Sequence, residues 1–134
     1  MSKQVIINLP VKDREISKEF FTAMGLSLDA ELTDENALCF VVLENVIVAL
    51  LPEPHFKEAS MGEVADAAKV NEMLISIGTD SREEVNSLVD NALKAGGSEL
   101  HEPADMDTIY GRSFADLDHH KWNVFYMRDS KTVS

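Results

Sequence analysis

Residues 6–27 read IINLPVKDREISKEFFTAMGLS, and residues 74–98 read LISIGTDSREEVNSLVDNALKAGGS. Both stretches spell strand, tight turn, helix, then small residues. Aligning Arg14-Glu15 on Arg82-Glu83 places Ile6, Ile7, Asn8 and Leu9 on Leu74, Ile75, Ser76 and Ile77. Each helix closes on small residues, Met24-Gly25-Leu26-Ser27 in one copy and Ala95-Gly96-Gly97-Ser98 in the other. A repeat in fixed order is the signature of one supersecondary unit used twice, neither copy burying its core alone. Two such units enclose a cleft between them.

Working outward, Gln4–Leu9 alternates, with Val5, Ile7 and Leu9 on one face and Gln4, Ile6 and Asn8 on the other. Pro10 ends that strand. Asp13 is placed to cap a helix from Arg14 to about Met24, with Gly25 at its C-terminus and Ile16, Phe20 and Met24 as the buried stripe. A weakly marked strand comes next, around Ser27–Leu32. The apolar runs Ala37–Leu43 and Val46–Leu51, separated by Glu44-Asn45, form a hairpin. Pro52 and Pro54 end this half. Glu53–Glu72 is a linker, with a short helix expected within Ser60–Lys69. Met73–Ile77 opens the second copy. Ser81-Arg82-Glu83-Glu84 is a capping box, and Val85, Leu88, Val89, Ala92 and Leu93 make the apolar stripe of the next helix. Glu99–Pro103 is a short strand or loop. Thr108–Ala115 and Trp122–Met127 form a second hairpin about the polar turn Asp116–His120. Each half therefore reads β-α-β-β-β, a repeat of about 4–52 and another of about 73–128 in one domain of 134 residues. The fold class is α+β, a curved mixed sheet around a cleft. Ile6 and Asn8 of one half and Leu74 and Ser76 of the other face that cleft.

The formal net charge is −12. Such a chain repels phosphate backbones and anionic lipid, so neither nucleic acid nor membrane is an expected partner. No stretch approaches the roughly 20 apolar residues of a transmembrane helix, and the N-terminus lacks the apolar core of a signal peptide. A cytoplasmic location is expected. The single cysteine, Cys39, lies in an apolar run and reads as an inert core thiol.

The stretch Tyr110-Gly111-Arg112-Ser113-Phe114-Ala115-Asp116-Leu117-Asp118-His119-His120-Lys121-Trp122-Asn123 resembles the closing hairpin of the vicinal oxygen chelate superfamily, which ends its last repeat with phenylalanine, any residue, then D-P-D-G-H-x-W-E. Members include glyoxalase I, bleomycin- and fosfomycin-resistance proteins and extradiol dioxygenases. Leu9-Pro10-Val11-Lys12-Asp13 resembles the family's opening strand and turn, and Ser81–Val85 the start of its third-quarter helix. The likeness spans about Gln4 to Arg128, and it is nearest the bacterial branch labelled glyoxalase-related or lactoylglutathione lyase-like. It implies the glyoxalase/bleomycin-resistance/dioxygenase fold. It also implies a divalent metal held by the first and last strands of each repeat. Carried over by position, those ligands fall on Ile6, on Leu74 and on Asn123, while Val46–Leu51 offers no donor side chain at all. One neutral amide does not make a site for Zn²⁺, Ni²⁺, Fe²⁺ or Mn²⁺, so no metal and no other cofactor is expected. His119 stands where the family has glycine, which costs energy if that position needs φ > 0. Leu117 replaces the family's proline.

The remaining candidates are read from the residues. His120 supports the turn and His119 is solvated, since adjacent side chains point opposite ways. His55 and His101 are isolated in polar loops. Asp116 and Asp118 bind backbone amides. Arg112 with Tyr110 and Phe114, on one side of a strand by period two, offers an anchor for an anionic or planar ligand, or else a salt bridge. Trp122 belongs to the core. The candidate ligand-binding set is Asn8, Ser76, Tyr110, Arg112, Phe114 and Asn123, and no nucleophile–base pair stands out. The expected function is binding of a small organic molecule without metal chemistry. The alternative is a metal-dependent lyase or dioxygenase, which leaves enzymatic activity open. The resemblance further implies a homodimer.

Overall fold

The computed structural model describes residues 3–128. In chain order the elements are β1 (Val5–Val11), α1 (Arg14–Met24), β2 (Ser27–Leu28), β3 (Leu38–Leu43), β4 (Val46–Pro52), α2 (Glu53–Ser60), β5 (Leu74–Thr79), α3 (Arg82–Lys94), β6 (Ser98–Glu99), β7 (Ala104–Asp105), β8 (Ile109–Ala115) and β9 (Lys121–Met127). The duplication is visible in the topology. The first sheet runs β1-β4-β3-β2 and the second β5-β9-β8-β6, with β7 added beside β8. In both, the opening strand lies parallel to the closing one and the other pairs are antiparallel.

Local chemistry explains the repeated helices. Asp13 accepts from the Ile16 amide and caps α1, and Gly25 closes it at φ 111°, a conformation that suits glycine. Ser81 accepts from the Glu84 amide, while the Glu84 carboxylate returns a bond to the Asp80 amide. The two helices pack on each other. A shared core then forms from both copies: Leu9, Phe20, Phe21, Met24, Phe40 and Leu50 from the first, with Val85, Val89, Phe114, Trp122 and Val124 from the second. Phe114 and Trp122 lie parallel, with centroids 6.2 Å apart. Among the described residues, no helix is long and apolar enough to cross a membrane.

Several expectations need correction. The inward stripe of α1 is Ser17, Phe20, Phe21 and Met24, and Ile16 is 51% exposed. The stripe begins at Ser17 because there the helix meets Asp118 of the second copy, at 3.5 Å. The linker helix is Glu53–Ser60, not within Ser60–Lys69. Pro54 sits in its first turn, where the missing N–H has no partner to lose, so a proline expected to end the first half starts a helix. His55 consequently lies on α2 rather than in a loop. The expected strand Ser27–Leu32 shortens to two residues. Glu99–Pro103, expected as a short strand or loop, is the end of β6 followed by a loop that leads to β7. Met61 ends α2 in the left-handed region.

The turn between β8 and β9 holds the copies together. Asp116 is buried and accepts from the Asp118 and His120 amides and from Trp122 Nε1, at 2.9, 3.0 and 3.0 Å. Burial pushes its carboxyl above the usual range, against the pull of His120 and these donors. Asp118 Oδ1 accepts from the Lys12 amide of the first copy at 2.9 Å, and His120 Nε2 donates to the Pro10 carbonyl at 2.7 Å. This matches the expected structural roles of Asp116, Asp118 and His120. His119, exposed, has φ 68°, the left-handed conformation its place in the turn requires. That conformation costs a non-glycine residue roughly 1–2 kcal/mol, part of which glycine returns as backbone entropy, about 0.5–1 kcal/mol. His119→Gly is therefore expected to raise stability by up to about 1 kcal/mol, read from the urea midpoint at unchanged slope. A loss of about 1 kcal/mol or more would contradict this account of the turn.

Candidate functional site

The concave faces follow from register. In the first sheet Ile6, Asn8 and Pro10 pair with Ile47, Ala49 and Leu51, and Cys39 and Val41 lie on the same side. Cys39, Ile47, Ala49 and Leu51 form a second small core against which Phe56 of α2 packs. The helix thus covers part of the concave face of the first copy. Burial and the nearby charges of Asp29 and Asp34 push the Cys39 thiol up, so it stays protonated and inert, as its apolar run suggests. In the second sheet Leu74, Ser76 and Gly78 pair with Lys121, Asn123 and Phe125, which pair in turn with Ala115, Ser113 and Gly111. Among the described residues no helix lies on this face, and Leu74 is 58% exposed.

A cavity of about 320 Å³ opens between the copies. Asn8, Leu9 and Pro10 of β1 and Ile75 of β5 form one part of its wall. Phe56 and the irregular strap 61–73 form another, and His119, His120 and Lys121 complete it. The strap is tied down by Lys121, whose Nζ donates to the Ala67 carbonyl at 2.8 Å and the His119 carbonyl at 2.6 Å. A second, more open cavity of about 490 Å³ lies beyond Lys121, against Met73, Leu74, Leu100, His101 and Ser113.

The structure divides the candidate set. Asn8 lines the first cavity. Ser76 and Asn123 are ladder partners on the concave face, with Asn123 Nδ2 3.5 Å from Ser76 Oγ. Tyr110, Arg112 and Phe114 share one side of β8, as period two requires, but that side faces α3 and not the cleft. The register explains this correction: Arg112 pairs with Val124 and Phe114 with Trp122, both core residues, whereas Ser113 pairs with Asn123. Arg112 donates to Asp90 at 2.8 Å, to Glu99 at 3.1 Å and to Asn86 at 3.1 Å. Burial lowers the guanidinium's pKa, but the bonds and charges of Glu99 and Asp90 outweigh it and raise it. Tyr110 donates to the same Asn86 oxygen at 2.7 Å, beneath the guanidinium of Arg82. These groups pin the sheet to its helix, and none is free for a ligand.

Sequence reasoning missed the strap, Phe56 and Lys121. It also missed a pair that the fold assembles from His101 and Ser113, whose Nε2 and Oγ lie 3.0 Å apart. Twelve residues separate them, and no local spacing signals the contact. A signal for Ser113 was present in its alternation with Arg112.

No family model and no curated protein matches the chain. Solved structures do. A hypothetical protein from S. aureus, SA1046, is 30% identical, with a TM-score of 0.79 over 94% of each chain. A glyoxalase/bleomycin resistance protein/dioxygenase family enzyme from Burkholderia phytofirmans PsJN is 14% identical, with a TM-score of 0.77 over 94% of this chain and 99% of its own. A glyoxalase-related enzyme from Fulvimarina pelagi is 18% identical, with a TM-score of 0.76 over 94% and 88%. The chain therefore has the glyoxalase/bleomycin resistance/dioxygenase fold, and the resemblance to the vicinal oxygen chelate superfamily holds at that level. It is a relative of SA1046 along nearly its whole length.

Proposed function

We propose that this chain is a metal-independent binding module for a small, partly apolar organic molecule, held between the two copies. The observation that carries the reading is the composition of the 320 Å³ cavity. Phe56, Val70, Met73 and Ile75 give it apolar walls, and Asn8, Asn71 and His120 give it a few groups that form hydrogen bonds. That size and mixture suit a small ligand. The positions that the resemblance assigns to metal ligands argue the same way. Ile6, Leu74 and Asn123 do not fit a metal, and the concave-facing residues of β4 are Ile47, Ala49 and Leu51. Among the described residues, no three of His, Cys, Asp and Glu gather in a group that could hold one. At those positions, metal-dependent lyase or dioxygenase chemistry would have only the neutral amide of Asn123 as a donor. The protein's net charge of −12 favours a neutral or cationic ligand over an anionic one.

The neutral fluorescent probe N-phenyl-1-naphthylamine tests this. One probe is expected to bind per chain with a dissociation constant on the order of micromolar. Ala67→Trp, which fills the cavity from the strap, is expected to weaken binding by about tenfold or more. Binding that does not saturate, or that the substitution leaves unchanged, would contradict the reading.

We infer further that two chains associate and that the location is cytoplasmic. Ile6 and Leu74, apolar and on the concave faces, are 43% and 58% exposed, more than an unpartnered sheet face favours. Sedimentation equilibrium at micromolar concentration is expected to give twice the 14.9 kDa chain mass. A single monomeric species would refute the association.

A further inference from the structure

The second cavity contains an arrangement that the binding reading does not use, and we propose that it is a serine–histidine pair able to take the acyl group of a small uncharged ester. Ser113 and His101 lie in the wall of the 490 Å³ cavity, with Oγ and Nε2 3.0 Å apart. The other ring nitrogen of His101, Nδ1, lies 2.9 Å from the Glu102 carbonyl oxygen. A carbonyl only accepts, so Nδ1 of the neutral ring carries the proton. Nε2 is then left with its lone pair, and the Ser113 hydroxyl is the donor. Nucleophile, base and the group that orients the base thus stand in the order that nucleophilic catalysis requires.

The surroundings fit the same chemistry. Ser113 is 5% exposed, so its hydroxyl is largely shielded and reached from the cavity, whereas His101 is exposed. Asn123 is the ladder partner of Ser113, on the same face of the sheet. Lys121 borders the cavity, and its bonds to Ala67 and His119 engage two of its three N–H groups. The third N–H of Lys121, at the border of the cavity, is the cationic donor available to a carbonyl oxygen on which negative charge develops. Leu74, Leu100 and Met73 supply an apolar wall for the acyl chain, and Glu72 at the same cavity disfavours an anionic substrate.

In the step proposed, Ser113 Oγ attacks the ester carbonyl carbon and its proton passes to His101 Nε2. The bond from the carbonyl carbon to the alkoxy oxygen then breaks, and the leaving alkoxide takes that proton and departs as the alcohol. Water attacks the acyl-serine with Nε2 again accepting the proton. Return of that proton to Oγ, as the acyl–oxygen bond breaks, releases the carboxylic acid and restores both residues.

This goes beyond the binding reading and is tested separately. The full-length chain is treated with a fluorophosphonate, analysed by peptide mass spectrometry, and assayed with p-nitrophenyl acetate. One phosphonyl adduct on Ser113 is expected, with nitrophenol release that Ser113→Ala abolishes. His101→Gln, which keeps a polar side chain but not a base, is expected to lower the labelling rate by about a hundredfold or more. It is also expected to remove the rise of that rate with pH, a change that loss of a merely structural contact would not produce. Wild-type protein left unlabelled at Ser113, an adduct elsewhere, or release that persists in Ser113→Ala would each overturn the proposal. The wild-type adduct decides the matter even if a variant fails to fold.

Discussion

The buried carboxylate of Asp116 is the constraint on which the molecule's arrangement rests. It gathers the Asp118 and His120 amides and the Trp122 indole at 2.9–3.0 Å, and so fixes the turn that closes the second copy. With the turn fixed, Asp118 and His120 reach across to the backbone of Lys12 and Pro10 in the first copy. Trp122, held by the same carboxylate, packs on Phe114 and Phe21 and joins the cores of the two copies. An unpaired buried carboxylate is costly, whereas one with three donors is tolerable and directional. The cleft exists because this turn sets one copy against the other.

The two copies share a topology but not a use. In the first, α2 comes directly after the last strand, and Phe56 packs onto the concave face to make a second core with Cys39, Ile47, Ala49 and Leu51. In the second, the same face carries Ser76, Asn123 and Ser113 in register, with His101 approaching from the loop after β6. The duplication supplies a cleft with two unlike walls, one apolar and partly covered by a helix, the other uncovered and carrying both polar and apolar groups. Lys121 sits between the two cavities and borders both. The strap it holds connects the copies in sequence and covers the first cavity in space.

Much of this was legible in the chain. The register of Ile6 on Leu74 was visible as a repeat, and it placed Ile6, Asn8, Leu74 and Ser76 on concave faces, as the ladders have them, because period two is geometric. The helix caps at Asp13 and Ser81 were legible because capping depends on residues three apart. The rest needed information that only tertiary contact supplies. Alternation groups Tyr110, Arg112 and Phe114 together but does not say which side is inward. The ladder pairing of Phe114 with Trp122 decides that. Pro54 can break a chain or start a helix, and here the helix wins because Phe56 finds a partner face. His101 and Ser113 meet because β6 and β8 pair, a contact with no local spacing rule. The buried stripe of α1 begins at Ser17 for a similar reason, since the other copy abuts it there.

The proposed binding role rests on the positions that the resemblance assigns to metal ligands holding no metal in this chain. Calorimetric titration of Zn²⁺ and of Mn²⁺ into chelator-treated protein tests it most directly. The account predicts no site tighter than roughly 100 μM for either ion, since Ile6, Leu74 and Asn123 offer one neutral amide between them. One equivalent bound at micromolar affinity or tighter, and lost in Asn123→Ala, would contradict it.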